Sequence, residues 1–228
     1  MKRIKYLTLL LAALICSTTI TAQGIKIYKK NGTTLDLSYT EIDSIVAYNT
    51  NDDKHEAVDL GLSVKWATCN VGAESPEEYG DYFAWGETTT KSEYTYENSK
   101  TYGKNIGDIA GDPEYDAATA NWGYGWRLPT RAECEELIEY CTLEYTTLGD
   151  NHGFKLTSKI NGNSIFLPAA GSRSVSSIID AGDFGDYWSS TPDESNTQFA
   201  YHLDFGSSLH YLGWFSRYYG HSVRPVTE

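Results

Sequence analysis

Beyond residue 54, the sequence contains only one stretch with the apolar spacing of a long α-helix, residues 130–141. A capping-box pattern, Thr130 followed by Glu133, marks its start. Apolar residues then recur on one helical face, at Cys134, Leu137, Ile138 and Cys141. A second, shorter helical turn is expected near residues 116–120. With so little helix, the core has to come from strands and loops, which predicts an α+β fold: a loop-rich antiparallel body with one or two helices packed against it.

The remainder of this region consists of short apolar runs separated by Gly, Ser, Asn and aromatic residues, a pattern typical of short strands joined by turns. The clearest predicted strands are residues 64–67, 164–167, 199–205 and 222–226. Residues 209–215 are expected to pair with 199–205 as a hairpin. The tryptophans among these runs are expected to pack the core: Trp66, Trp85, Trp122, Trp126 and Trp188. Arg127 and Arg224 are expected to be buried arginines that tie loops to carbonyl or carboxylate groups.

Residues 23–50 predict a small β segment ahead of the main domain, which we place at residues 51–228. Two alternating runs, 25–28 and 33–37, flank Asn31-Gly32, a strong short-range signal for a β-hairpin. Residues 43–48 predict a third short strand. A piece of this size is too small to be stable alone. We therefore expect it to dock on the main domain or on a partner.

Residues 1–22 have the three parts of a cleavable secretory signal peptide. Three basic residues lie among the first five, an apolar run extends to about Cys16, and small and polar residues lead to Ala22. The apolar run is shorter than the ~20 residues of a membrane-spanning helix. Lipidation at Cys16 is the alternative, but Ile15 precedes it where lipoprotein signals have Gly, Ala or Ser. We expect export, to the periplasm, the outer cell surface or the extracellular space.

The net charge argues against two classes of partner. Loss of the three basic residues would take the formal net charge from −13 to about −16. Such a chain repels phosphate backbones and anionic lipid surfaces. We therefore expect no nucleic-acid partner and no membrane insertion of the mature chain.

Three cysteines would remain after cleavage: Cys69, Cys134 and Cys141. Cys134 and Cys141 lie on one predicted helix, about 10 Å apart at ~1.5 Å rise per residue, which is too far for a disulfide. Any bridge must therefore use Cys69, and we predict a Cys69–Cys141 disulfide with Cys134 as a small buried hydrophobic residue. Three unpaired thiols are the alternative.

Several sequence motifs are too specific to reflect amino-acid composition alone. They are VDLGLSVKWATCNVGA at 58–73, GDYFAWGE at 80–87, WGYGWRLPT at 122–130, FLPAAG at 166–171, YWSS at 187–190 and SVRPV at 222–226. In this order and spacing they resemble the Fibrobacter succinogenes major paralogous domain, a branch of the C-type-lectin-like fold that also includes formylglycine-generating enzymes. The resemblance covers roughly residues 57–226. It implies a compact lectin-like domain on an exported bacterial protein.

The sequence does not fit the enzymes to which that family is related. Formylglycine-generating enzymes need a late pair of cysteines, and this chain has none after Cys141. The later histidines are scattered without the spacing of a metal-ligand motif. They are His152, His202, His210 and His221. We therefore predict no enzyme, no cofactor and no metal. Structural calcium is the alternative, near Asp180, Asp183 and Asp186.

Residues 207–220 stand out because Tyr, Trp, Ser, Gly and Arg are residue types that binding surfaces favour. In lectin-like proteins with diversified ligand faces, the corresponding C-terminal stretch looks like the recognition surface. The resemblance thus implies ligand contacts from His210, Tyr211, Trp214, Arg217 and Tyr218. The alternation of apolar residues along 199–205 adds His202 and Asp204. The alternative is that these aromatic residues pack the sheet.

These features predict an exported, non-catalytic binding module. Its aromatic-rich C-terminal face would recognise a glycan or a protein at the cell surface. The alternative is a structural or assembly subunit of the cell surface or of fimbriae, with the N-terminal hairpin making the contact.

Overall fold

The computed structural model describes residues 24–28, 34–38, 55–207 and 209–228. The expected signal peptide, the Asn31-Gly32 turn and the strand expected at 43–48 lie outside the described residues. The chain divides into two compact units, Met1–Ala47 and Tyr48–Glu228, and each is described by itself. No helix among the described residues is long and apolar enough to span a membrane.

The first unit contains the predicted hairpin. Strand β1 (Gly24–Tyr28) pairs antiparallel with β2 (Thr34–Ser38), and Gly24 lies opposite Ser38. The alternating runs on either side of Asn31-Gly32 therefore form paired strands, as their pattern indicates.

The second unit is a mixed α+β fold, as predicted. Its helices are α1 (Ala117–Trp122) and α2 (Arg131–Tyr140). Its strands are β3 (Ala57–Val58), β4 (Lys65–Ala67), β5 (Tyr82–Ala84), β6 (Cys141–Leu148), β7 (Asn151–Ser158), β8 (Ser164–Pro168), β9 (Ser172–Ser174), β10 (Ser177–Ile179), β11 (Phe184–Pro192), β12 (Phe199–Gly206), β13 (Leu209–Ser216), β14 (Gly220–Ser222) and β15 (Val226–Thr227).

Three sheets organise these strands. The largest has seven strands in the order β10-β9-β14-β11-β12-β13, with β5 paired to β14. All its strand pairs are antiparallel except β11 with β14. Two antiparallel sheets of three strands accompany it, β15-β4-β3 and β6-β7-β8. The large sheet carries the residues discussed below.

Helix α2 begins as the sequence predicts. Thr130 caps it: its hydroxyl accepts a hydrogen bond from the Glu133 amide, and the Glu133 carboxylate accepts one of 2.7 Å from the Thr130 amide. The helix buries Cys134 and Leu137 and ends at Tyr140. Helix α1 is capped by the buried Asp116, at the place where a helical turn was expected.

The core lies on both faces of the large sheet, because neighbouring residues of a strand point to opposite faces. On β11, Tyr187 packs into one apolar cluster with Leu203 and Phe205, whereas Trp188 packs into a second with Phe83 and Val223. Trp66, Trp85 and Trp188 are buried, as expected. Trp122 and Trp126 are half-buried and pack with each other and with the ring of His55.

Two sequence predictions differ from the structure. The expected strand 222–226 is interrupted: β14 ends at Ser222 and β15 begins at Val226, because Pro225 has no amide hydrogen to donate to a ladder. The predicted Cys69–Cys141 disulfide is absent. Cys69, Cys134 and Cys141 are all free thiols, Cys141 being packed in the core with Leu137 while Cys69 is only half-buried.

Candidate functional site

The hairpin of β12 and β13 contains most of the residues that the sequence assigns to ligand binding. Its register places Tyr201 opposite Trp214, His202 opposite Gly213 and Asp204 opposite Tyr211. Because the side chains alternate, Trp214 points to one face of the sheet and Tyr211 to the other. The hairpin therefore separates the predicted contact residues into two groups.

The face that carries Trp214 has an aromatic patch, defined here as Phe199, Tyr201, Trp214 and Arg131. The rings of Phe199 and Trp214 lie 4.6 Å apart, and the Arg131 guanidinium lies 4.2 Å from the centre of the Tyr201 ring. Arg131 also pairs with Glu135 at 2.8 Å. Trp214 remains 55% exposed, whereas Phe199 and Tyr201 are half-buried.

The opposite face of the hairpin carries His202, Asp204 and Tyr211. His202 is completely buried, which contradicts its predicted role as a contact residue on the surface. Asp204 is half-buried, and Tyr211 is 50% exposed. The Tyr211 ring lies edge-on to His202, with 6.1 Å between the ring centres. Tyr211 therefore lies on the solvent side of a buried polar group.

Arg217 is not a contact residue either, because its side chain is buried. Its Nε donates to the Phe199 carbonyl and one terminal nitrogen donates to the Lys104 carbonyl, both at 2.9 Å. The guanidinium lies 4.2 Å from the Trp85 ring centre. Its role is structural: it joins the end of β13 to the loop that contains Lys104.

The two remaining predicted residues lie apart from the patch. His210 is exposed near the start of β13, on the same face as Trp214. Tyr218 belongs to a tyrosine cluster with Tyr96, Tyr102 and Tyr219, with ring centres 4.7 to 6.3 Å from its own. Within this cluster, Tyr96 is the most exposed.

A second candidate site lies inside the large sheet. Three adjacent strands each place one side chain on the same face: Asp186 from β11, His202 from β12 and His221 from β14. We call these three residues the Asp–His–His cluster. One potential ligand atom from each lies within 4.8 Å of the other two. His202 Nδ1 is 3.3 Å from Asp186 Oδ1.

The cluster lies in aromatic surroundings. The Trp188 ring stacks on His221 with 4.0 Å between centres, and the Phe215 ring centre is 5.2 Å from those of His202 and His221. Both imidazoles are fully buried. Neither nitrogen of either ring has a hydrogen-bond partner of good geometry among the described residues, since the 3.3 Å contact to Asp186 is poorly aligned.

Burial and the neighbouring charges set the protonation of two members of this cluster, Asp186 and His221. Burial lowers the pKa of His221 to about 3, against a smaller upward effect of Asp186, so this imidazole is neutral near pH 7. Burial alone would raise the pKa of Asp186, but the two histidines outweigh it and hold that pKa below its usual value. Burial, together with the charge of Asp186, raises the pKa of Asp204. A neutral imidazole and an ionised carboxylate are the forms that bind metal ions.

The sequence did not reveal this cluster. Asp186 and His221 were separated by 35 positions, and the only signal was the alternation that places His202 on the face opposite Leu203. The view of the histidines as scattered is wrong for His202 and His221. The three residues named for the calcium alternative lie in different surroundings. Asp180 and Asp183 are exposed near the start of β11, whereas Asp186 is buried in the sheet.

Comparison with known proteins finds no matching family model, no matching curated protein and no matching solved structure.

Proposed function

We propose that the protein is an exported, non-catalytic binding module with a C-type-lectin-like domain, and that it recognises a glycan through the aromatic patch. Export is supported by the signal-peptide pattern of residues 1–22. The lectin-like fold is supported by the six sequence motifs between residues 58 and 226 and by an α+β architecture of mainly antiparallel sheets with two helices.

The observation that carries the proposal is the exposure of Trp214. The chain has six tryptophans, all of them among the described residues, and the other five are buried or half-buried. Leaving a large aromatic ring in water forgoes about 25 cal/mol for each Å² of apolar surface that could be buried. A binding surface recovers this free energy when its ligand covers the ring.

The composition of the patch favours a glycan over a protein. One exposed ring flanked by two half-buried rings gives a small apolar surface, whereas a standard protein–protein interface uses about 20–30 residues on each side. Arg131 and Glu135 lie beside that surface and offer planar donors and acceptors for hydroxyl groups. A sugar ring, with C–H groups on its faces and hydroxyls around its edge, matches this combination.

The test is a glycan-array screen of the mature chain, followed by affinity measurements with the glycans that bind. Trp214→Ala should lower the affinity at least tenfold. Tyr211→Ala is the matched control, because Tyr211 lies on the same strand with similar exposure but points to the opposite face. The proposal fails if no glycan binds, or if both substitutions weaken binding equally. Binding confined to surface proteins, lost in Trp214→Ala, would identify a protein partner instead.

Strand β13 supports a second candidate function, that of an assembly subunit. It is the last strand of the large sheet, is eight residues long and contains no Lys, Arg, Asp, Glu or Pro. Edge strands without such residues readily pair with a strand from another chain. Light scattering at increasing protein concentration should then show oligomers. His210→Lys, which adds a charge to this edge strand, should reduce their amount. Glycan binding at the patch predicts no such change.

A further inference from the structure

We propose that Asp186, His202 and His221 form a binding site for a divalent transition-metal ion such as Zn²⁺. The inference is independent of the proposed glycan binding, because Trp214 points to the other face of the hairpin. It follows from the unpartnered imidazole nitrogens, the positions of the ligand atoms and the chemistry of the donor set.

The unpartnered nitrogens are the first observation. The four ring nitrogens of His202 and His221 are inaccessible to solvent and have no hydrogen-bond partner among the described residues. Each buried polar atom left in this state costs about 1–3 kcal/mol. A metal ion would accept a lone pair from one nitrogen of each ring, which gives two of these four buried atoms a partner.

A buried ion pair between His202 and Asp186 would account for fewer of the unpartnered imidazole nitrogens than a shared metal ion. If His202 were protonated, its Nδ1–H could donate to Asp186 after a small rotation, since the two atoms are already 3.3 Å apart. That arrangement leaves both ring nitrogens of His221 without a partner; the His221 ring stacks on Trp188, and its centre is 5.2 Å from that of His202. A shared ion involves all three side chains.

The distances are close to those of an occupied site. Zinc binds imidazole nitrogen and carboxylate oxygen at about 2.0–2.2 Å, so two ligand atoms in a tetrahedral site lie about 3.3–3.6 Å apart. The separation of His202 Nδ1 and Asp186 Oδ1 has this value. The remaining separations, at most 4.8 Å, require inward side-chain movements of about 1 Å.

The surroundings hold these ligands in place. Each ligand comes from a hydrogen-bonded strand, and Trp188 and Phe215 restrict the rotation of the imidazoles. Rigid ligands lose little conformational entropy when the ion binds. Asp204 lies on the same face, directly opposite Asp186 in the register, so a second carboxyl group neighbours the site.

The donor set selects the class of ion. Two imidazoles and one carboxylate suit Zn²⁺, Fe²⁺ and similar divalent transition metals, whereas Ca²⁺ prefers six to eight oxygen ligands and Cu⁺ prefers sulfur. The ion would join β14, β11 and β12 and so stabilise the centre of the large sheet.

The experiment uses the full chain after treatment with EDTA. Titration with Zn²⁺ in a calorimeter should show one ion per chain, and saturating Zn²⁺ should raise the melting temperature, since an ion that binds only the folded state stabilises it. Asp186→Asn and His221→Gln should each weaken binding at least tenfold. The matched control His210→Gln removes an exposed histidine of the same sheet and should leave the affinity unchanged.

Zinc-edge X-ray absorption of the loaded wild-type protein provides a test that does not depend on variant folding. The expected first shell has two imidazoles, oxygen and no sulfur. The proposal is overturned if Zn²⁺ does not bind, if sulfur appears in the shell, or if His210→Gln weakens binding as much as His221→Gln. Trp214→Ala should bind Zn²⁺ normally, so failure of the glycan proposal leaves this result intact.

Discussion

The side chain of Arg224 is completely buried, and its Nε donates a 2.8 Å hydrogen bond to Oδ1 of Asn70, which is buried as well. Its two terminal nitrogens donate to the carbonyl oxygens of Ala67, Thr68 and Phe166 at 2.6 to 2.9 Å. One guanidinium therefore ties the segment before β15 to the end of β4 and to β8. This confirms the expectation that Arg224 is a buried arginine joining loops.

Replacing Arg224 with lysine should strongly destabilise the domain. A lysine ammonium is a single point that cannot reach acceptors arranged around a planar fork, so some buried oxygens lose their donor. We expect a loss of about 2–4 kcal/mol in the free energy of unfolding, because each unmade buried hydrogen bond costs about 1–3 kcal/mol. Urea denaturation measures the loss. Arg131→Lys, at an exposed site, should change it little; equal effects would contradict this role for Arg224.

Glu133 should make the free energy of unfolding depend on pH in the acid range. Burial alone would raise its pKa, but two hydrogen bonds from Arg127, at 2.7 and 2.8 Å, and one from the Thr130 amide hold the pKa below its usual value. The ionised carboxylate therefore stabilises the folded state above about pH 4.3, the approximate pKa of Glu in an unfolded chain, and the gain is lost as pH falls through the lower folded-state pKa.

Glu133→Gln tests that dependence. At pH 7 the variant should be less stable than the wild type by about 1–3 kcal/mol, the usual range for hydrogen bonds to a charged group. The difference should shrink as the pH approaches 3. Urea midpoints across this range measure it. Glu135→Gln, at a half-exposed surface pair with Arg131, should show a small difference at every pH. If the stability difference between Glu133→Gln and the wild type is the same at every pH, the charge of the Glu133 carboxylate does not stabilise the fold.

The cysteines should differ in reactivity. Cys134 and Cys141 are buried, and burial raises the pKa of both thiols, whereas Cys69 is half-buried. Iodoacetamide should therefore label Cys69 first in the native protein and label the other two only after unfolding. Peptide mass spectrometry locates the label. Resistance of Cys69 and Cys141 to labelling of the unfolded, unreduced chain would instead support the disulfide that the sequence suggested.

The absence of a side chain at Gly213 leaves room for the Tyr211 ring. A Cβ at residue 213 would clash with the Tyr211 ring, so Gly213→Ala should push the ring away at a stability cost under about 1 kcal/mol, since the far end of a flexible side chain can move. His202, edge-on to that ring, should then react faster with diethyl pyrocarbonate. Tyr211→Ala should produce the same increase. If His202 stays unreactive in both variants, Tyr211 does not protect it.

Local signals allowed part of the fold to be predicted. The Thr130–Glu133 capping box marked the start of α2, and the alternation along 199–205 marked β12. The Asp–His–His cluster could not be found in this way, because it depends on β14 lying beside β11, a pairing between strands about 35 residues apart. Arg217 was misassigned because an arginine among aromatic residues has the composition of a binding surface, whatever its burial.

The small sheet of β3, β4 and β15 brings the first strand of the domain into the same sheet as the last. Val58 and Val226 both pair with Trp66, one from each side. Entry and exit of the domain are therefore close in space, which is the geometry that circular permutation requires. A short linker from residue 228 to residue 55, with new termini opened at an exposed turn such as Asn161-Gly162, should give a permuted second unit that keeps its three sheets.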